Sequence, residues 1–211
     1  MVQEDRIVLP RRGAATVSCA AGLLRVSASD DGGVELGFDD QAFEVMLEVT
    51  EAIELRDGDL VCAGRQWLSF EAGREDRPPR LHVLDPMGEI HMTLIIRGSS
   101  WTLGRGAGDV VFPWDHELSE LHLQVLVRGG TAFVQSLSRS RGTWVLVRSG
   151  EIVPGGCTLA VGDRVMRVFT PAPLGEDPDD ETDVGTHTDD GTDADATVPD
   201  PEWSTQVYAA A

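Results

Sequence analysis

The chain has 211 residues, 41% of them apolar, with 36 acidic residues against 17 basic ones for a net charge of −19. That length holds one ordinary domain or two small ones, and no apolar run approaches the roughly 18 to 20 residues needed to span a bilayer. So acidic a chain excludes nucleic acid as a general partner, because phosphate backbones require a basic surface.

The start, Met1-Val2-Gln3-Glu4-Asp5, lacks the basic residues and apolar stretch of a signal peptide, so neither membrane nor export is expected and the cytoplasm is the default. All 17 basic residues are Arg, and Lys and Asn are absent, a codon bias that points to a GC-rich bacterial genome. The charge is lopsided: residues 174–211 hold 12 of the 36 acidic residues and no Arg, leaving 17 Arg against 24 acids, a net of −7, in the remainder. Cys19, Cys62 and Cys157 are odd in number and far apart, which reads as free buried thiols. They form no ligand spacing with His82, His91, His116, His122 and His187, so no metal and no cofactor are expected.

From Arg6 to about Phe70 the pattern is one of short strands broken by Gly and Asp pairs. Within it, Ala42, Val45, Met46, Val49, Ala52 and Ile53 fit a helical stripe, whereas Phe43, Val45, Leu47 and Val49 equally fit strand alternation. Residues 72–80 are polar, contain two prolines and read as a linker. From Leu81 to Phe169 alternation returns, with Ile90, Met92, Leu94 and Ile96 on one face, then Leu121, Leu123, Val125 and Val127. Turn residues recur at intervals of roughly 8 to 12, the mark of an all-β sandwich or barrel. After Glu176 the Asp/Thr/Gly/Pro-rich tail has almost no large apolar residue before Trp203, and disorder is expected.

An internal repeat decides the ambiguous stretch in favour of strand for residues 43–49. Val34-Glu35-Leu36 through Val45-Met46-Leu47 aligns with Val134-Gln135-Ser136 through Val145-Leu146-Val147. Leu55-Arg56-Asp57-Gly58-Asp59 is matched to Leu159-Ala160-Val161-Gly162-Asp163, Ile7-Val8-Leu9-Pro10 to Val110-Val111-Phe112-Pro113, and Ser18 to Ser119.

Three short motifs in the second segment carry the chemistry: Gly104-Arg105, Ser119-Glu120-Leu121-His122, and Arg141-Gly142-Thr143, spaced 15 and about 20 positions apart. An Arg fork and hydroxyls delivered by turns between strands can cradle one phosphate, since the planar guanidinium makes two parallel charge-assisted bonds to it. In this order and spacing the motifs resemble the forkhead-associated (FHA) domain family, readers of phosphothreonine peptides. The resemblance covers residues 1–170. It implies an all-β, FHA-like β-sandwich: a degenerate partial copy in 1–71, a linker in 72–80, a complete copy in 81–172, and a disordered acidic, Thr-rich tail in 173–211.

By the same resemblance Arg105, Ser119 and Ser140 contact phosphate, and Arg141, which replaces the family's Asn, stands where the peptide main chain is held. Gly104, His122, Gly142 and Thr143 support the loops. In the first copy Ala21 replaces His122 and Gln41-Ala42-Phe43 replaces Arg141-Gly142-Thr143, so its chemistry is lost. Its opening strands have no counterpart, so either the second copy covers the exposed edge or the true start lies upstream. Glu120 also departs from the family, which places a basic or small polar residue after the Ser. Arg141 supplies a cation that either pairs with Glu120 or contacts the phosphate.

The expected function is non-enzymatic: a phosphothreonine-peptide-binding adaptor in bacterial Ser/Thr-kinase signalling, its partner a phosphothreonine-containing protein or the kinase itself. The alternatives are a phosphate-independent pseudo-FHA scaffold and an accessory regulator of an enzyme or secretion complex. Thr186, Thr192 and Thr197 carry Asp189, Asp195 and Asp200 three places on, a spacing such sites often prefer, so the tail is a candidate phosphoacceptor and intramolecular ligand. No catalytic residue is assigned: Asp115 and His116 lie near Ser119, but no Gly-x-Ser-x-Gly elbow occurs, and there is no Lys for a phosphate-binding loop.

Overall fold

The structure, a computed structural model, describes residues 4–10, 13–19, 22–39, 44–138 and 142–170. These hold eighteen strands and no helix, and therefore no helix long and apolar enough to cross a membrane. The first half supplies β1 (Glu4–Val8), β2 (Ala14–Cys19), β3 (Gly22–Ala28), β4 (Val34–Gly37), β5 (Val45–Glu48), β6 (Ile53–Leu55), β7 (Leu60–Ala63) and β8 (Gln66–Glu71). The second half supplies β9 (Arg80–Leu84), β10 (Ile90–Ile95), β11 (Ser100–Gly104), β12 (Val110–Val111), β13 (Leu123–Arg128), β14 (Thr131–Ser136), β15 (Thr143–Val147), β16 (Ile152–Val153), β17 (Thr158–Val161) and β18 (Arg164–Phe169). Strand is the outcome for the ambiguous stretch, where Val45 and Leu47 are buried on one face.

A nine-stranded sheet runs β1-β18-β17-β5-β15-β7-β8-β9-β10. It is covered by a five-stranded sheet, β12-β11-β13-β14-β6, and a four-stranded one, β16-β4-β3-β2. Two apolar cores result. One joins Val61, Leu68 and Phe70 to Leu81, Leu103, Leu123, Val134 and Val145. The other joins Leu24, Val34, Val45 and Leu47 to Val147, Leu159, Met166 and Val168. Val145 and Val147 are two residues apart on one strand, hence on one face, so the two smaller sheets lie side by side on the long sheet.

Each core draws strands from both halves, so the cores do not follow the division expected at residues 72–80. That segment joins β8 to β9 as neighbours in one sheet, with Phe70 opposite Leu81. It is a hairpin connection, tightened by Arg74 and Arg77 bonding across it. Pairing across the two halves is systematic. β14 pairs with β6 and β4 with β16, while β15 pairs with β7 and β5 with β17. β5 and β15 pair antiparallel with each other, placing Met46 opposite Leu146, two positions with the same offset as Val34 and Val134. Residues 1–172 form one unit by contact, with Pro173–Ala211 outside it.

Two turns of the two halves hold each other. The Asp59 carboxylate accepts from the Arg56 N–H of its own turn at 2.7 Å and reaches the Arg148 guanidinium at 3.2 Å. Glu151 accepts from the Arg148 N–H at 2.9 Å and reaches Arg56 at 3.1 Å. Burial pushes the Asp59 carboxyl above its ordinary range, against the pull of the Arg56 N–H and of Arg148.

Two hairpins share a geometry. The two-residue turn between β17 and β18 (Val161 opposite Arg164) is similar to that between β7 and β8 (Ala63 opposite Gln66), with Gly162 and Gly64 both at positive φ.

Candidate functional site

The Gly104-Arg105 turn leaves β11 and lies against the Ser119–Glu120 segment. The Arg105 N–H donates to the Ser119 carbonyl at 2.9 Å, and the Gly106 and Ala107 N–H groups donate to the Glu120 carbonyl at 3.2 and 2.9 Å. Only glycine fits at 104, because a Cβ there collides with the Glu120 and Ala107 carbonyls. Asp109 fastens the far end of the loop, its carboxylate accepting from both the N–H and the hydroxyl of Thr102 at 2.8 Å.

His122 is fully buried and braces the second loop, its Nδ1 accepting the Ser119 N–H at 3.0 Å. Its backbone is fixed on both sides, N–H to the Leu103 carbonyl and carbonyl to the Leu137 N–H, each at 2.8 Å. Because Nδ1 accepts, the ring proton is assigned to Nε2. That atom is buried beside the Gly142 backbone, without a hydrogen bond among the described residues. Burial pushes the imidazole below its usual value, against the opposing pull of Gly142 and Asp115, which favours the neutral form the brace requires. The Ser119 hydroxyl, half-buried, meets the Ser138 hydroxyl at 2.7 Å.

Gly142 precedes β15, whose first residue is Thr143. Thr143 is buried and donates its hydroxyl to Ser136 at 3.1 Å, and a Cβ on Gly142 would press on the Glu48 carboxylate and the Trp144 ring. Ser140 and Arg141 lie outside the described residues, as do Ala21, Gln41-Ala42-Phe43 and the tail threonines Thr186, Thr192 and Thr197. Arg105, Ser119 and His122 are thus brought together, with Gly142 beside His122.

The partner of Glu120 is Arg105 itself, with Nη2 at 3.7 Å from its carboxylate. The side chains are 41% and 69% exposed, so the pair is loose and weakly stabilising. The carboxylate lies over Gly106, where a Cβ would strike it. The guanidinium fork is therefore shared between any incoming anion and an acid of its own chain.

Sequence reasoning missed the role of Asp115. It is buried, and its carboxylate accepts from the Arg65 N–H at 2.9 Å, Gln66 Nε2 at 2.8 Å and the Glu117 N–H at 3.0 Å. Burial alone raises its pKa, but the bonds from Gln66, Arg65 and Glu117, with the Arg65 charge, outweigh it and hold the carboxyl below its ordinary range. Asp115 thus ties the loop ahead of Ser119 to the β7–β8 turn, about fifty residues earlier in the chain. Also missed were Ser138 and the exposed apolar side chains of Val111, Leu121 and Trp114, the last 70% exposed and edge-on to Phe112. The alternation Ser136, Ser138, Ser140 was the available signal for the first.

The three cysteines are free, and burial pushes the Cys62 and Cys157 thiols up to about 11. No group of three or more His, Cys, Asp or Glu that could hold a metal occurs among the described residues. No protein-family model matches the chain, and neither a curated protein nor a solved structure shows significant similarity to it.

Proposed function

We propose that the chain is a phosphothreonine-peptide-binding adaptor of FHA type in Ser/Thr-kinase signalling, built from two copies of one sandwich whose C-terminal strands are exchanged. The site at residues 104–122 belongs to the second copy. One observation carries the reading: the buried His122 holds the Ser119 N–H while the backbone of Arg105 bonds to Ser119. A hydroxyl and a half-exposed guanidinium are thereby presented together by two turns that the chain separates. Such a pair offers a phosphate charge-assisted bonds worth about 1.5 to 3 kcal/mol each. The test is calorimetric titration of the full chain with a phosphothreonine peptide library and its unphosphorylated twin. Binding above the twin, lost in Arg105→Ala, is expected. Equal binding by both proteins removes phosphate from the reading.

The second reading, a phosphate-independent pseudo-FHA scaffold, is favoured by the Arg105–Glu120 pair, which leaves the fork partly neutralised. The titration decides between the two, because a scaffold binds the unphosphorylated twin equally well.

A further inference from the structure

We propose that Glu120 is a specificity residue that selects ligands carrying a basic side chain near the phosphothreonine. The inference rests on the phosphopeptide reading above and follows from charge accounting at the fork. In the free protein the Arg105 cation and the Glu120 anion face each other at 3.7 Å and cancel. A phosphothreonine brings about −1.5 to −2 charges. When Arg105 turns to that group, Glu120 loses its partner, and its main chain stays beside the Arg105 turn because its backbone carbonyl is pinned by the Gly106 and Ala107 N–H groups. The described surroundings add acids rather than cations. Glu48 lies against Gly142, while Arg65, the nearest other described cation on the supporting turn, is held to Glu117 at 3.8 Å.

A ligand that brings its own Arg or Lys restores the balance by pairing with the 69%-exposed Glu120 carboxylate. A ligand flanked by acids adds repulsion. This preference runs against the acidic flanks of Thr186, Thr192 and Thr197, so the site as built discriminates against the tail and favours a basic segment of another protein.

The experiment titrates the full chain with phosphothreonine peptides of one alanine-rich sequence in which a single Arg, or a single Asp, is walked from three residues before to three after the phosphothreonine. Wild type is expected to bind the best Arg peptide about two- to fivefold tighter than the alanine parent, the range of an exposed ion pair. Glu120→Gln should erase that advantage while binding the parent at least as tightly, and Glu120→Arg should move the preference to Asp. Unchanged melting of Glu120→Gln would establish that the fold is intact. Indifference of wild type to Arg at every position overturns the proposal and leaves phosphopeptide binding standing. So does an Arg preference that survives in Glu120→Gln. Absence of binding to every phosphorylated peptide overturns the phosphopeptide reading together with this one.

Discussion

Asp115 gives the sharpest test of how the site is supported. Asp115→Ala removes a buried carboxylate that three donors share: the Arg65 N–H, Gln66 Nε2 and the Glu117 N–H. Each bond to a charged acceptor contributes about 1.5 to 3 kcal/mol. Three such bonds sum to about 4.5 to 9 kcal/mol, but two of the donors are backbone groups at part-buried turns that water can reach after the change, so the expected loss falls below that sum, at about 3 to 4 kcal/mol. For a unit of this size that lowers the melting temperature by roughly 6 to 16 °C. The pH dependence supplies an independent check. The folded state holds Asp115 below its ordinary value, so its contribution is complete above the unfolded carboxyl value of about 3.9 and fades as pH falls through the lower folded value. Denaturant midpoints of wild type and Asp115→Asn should therefore lie apart at pH 7 and draw together as pH falls below about 3.9 and through the lower folded value. The loop ahead of Ser119 hangs on this residue, so amide resonances of Arg105 and Ser119 should move in the variant as well. Equal midpoints at pH 7, or a gap that does not shrink in acid, would refute the assigned role.

Two further outcomes are expected. His122→Ala removes a fully buried ring and its hold on the Ser119 N–H, costing about 2 to 4 kcal/mol by denaturant melts. Since burial depresses this imidazole, the unfolded chain takes up a proton near pH 6.5 that the folded one resists, so wild type should lose stability below that pH and the variant should lack that component. Residues 81–172 expressed alone should be much less stable than the full chain. They lack β6, β7 and β8, and with them the Arg65 N–H and Gln66 amide that serve Asp115. Size-exclusion chromatography and circular dichroism of the fragment test this, and a monomeric fragment as stable as the parent would sink it.

How far the sequence could be read divides along physical lines. Alternation states which face of a strand is buried, and it placed the all-β class and most core positions, whereas the strand at Val45–Glu48 needed the internal match to separate it from a helical stripe. Alternation carries no information on which strand lies alongside. The segments around Val61 and Leu68 and around Leu159 and Met166 present the same alternating apolar face to any sheet of similar curvature, so the pairing of strands across the two halves was invisible. The site was legible where its signal is local: a Gly with no room for Cβ, then Arg, and a Ser three residues before a His that can reach back to it. It failed where partners are distant. Asp115 was weighed only against its neighbours His116 and Ser119, whereas two of its donors lie about fifty residues upstream. Glu120 was paired with Arg141 or with solvent, because nothing in the spacing revealed that its carboxylate lies over Gly106, within reach of Arg105.

The two hairpin turns hold different partners. In the β7–β8 turn the Arg65 backbone N–H and the Gln66 amide serve Asp115 beneath the candidate site. In the β17–β18 turn Arg164 makes two bonds to the Asp5 carboxylate and a third to the Ser18 carbonyl at 2.9 Å. The Arg65 bond is made by its backbone, so a change of side chain there leaves it in place, whereas the Gln66 bond is lost with the amide. The loop ahead of Ser119 is held by the first half of the chain, so substitution of Gln66 alters the site although it does not touch its ligand. Double-mutant cycles between Gln66 and Asp115 should return a coupling of about 1 to 2 kcal/mol, and none between Arg164 and Asp115.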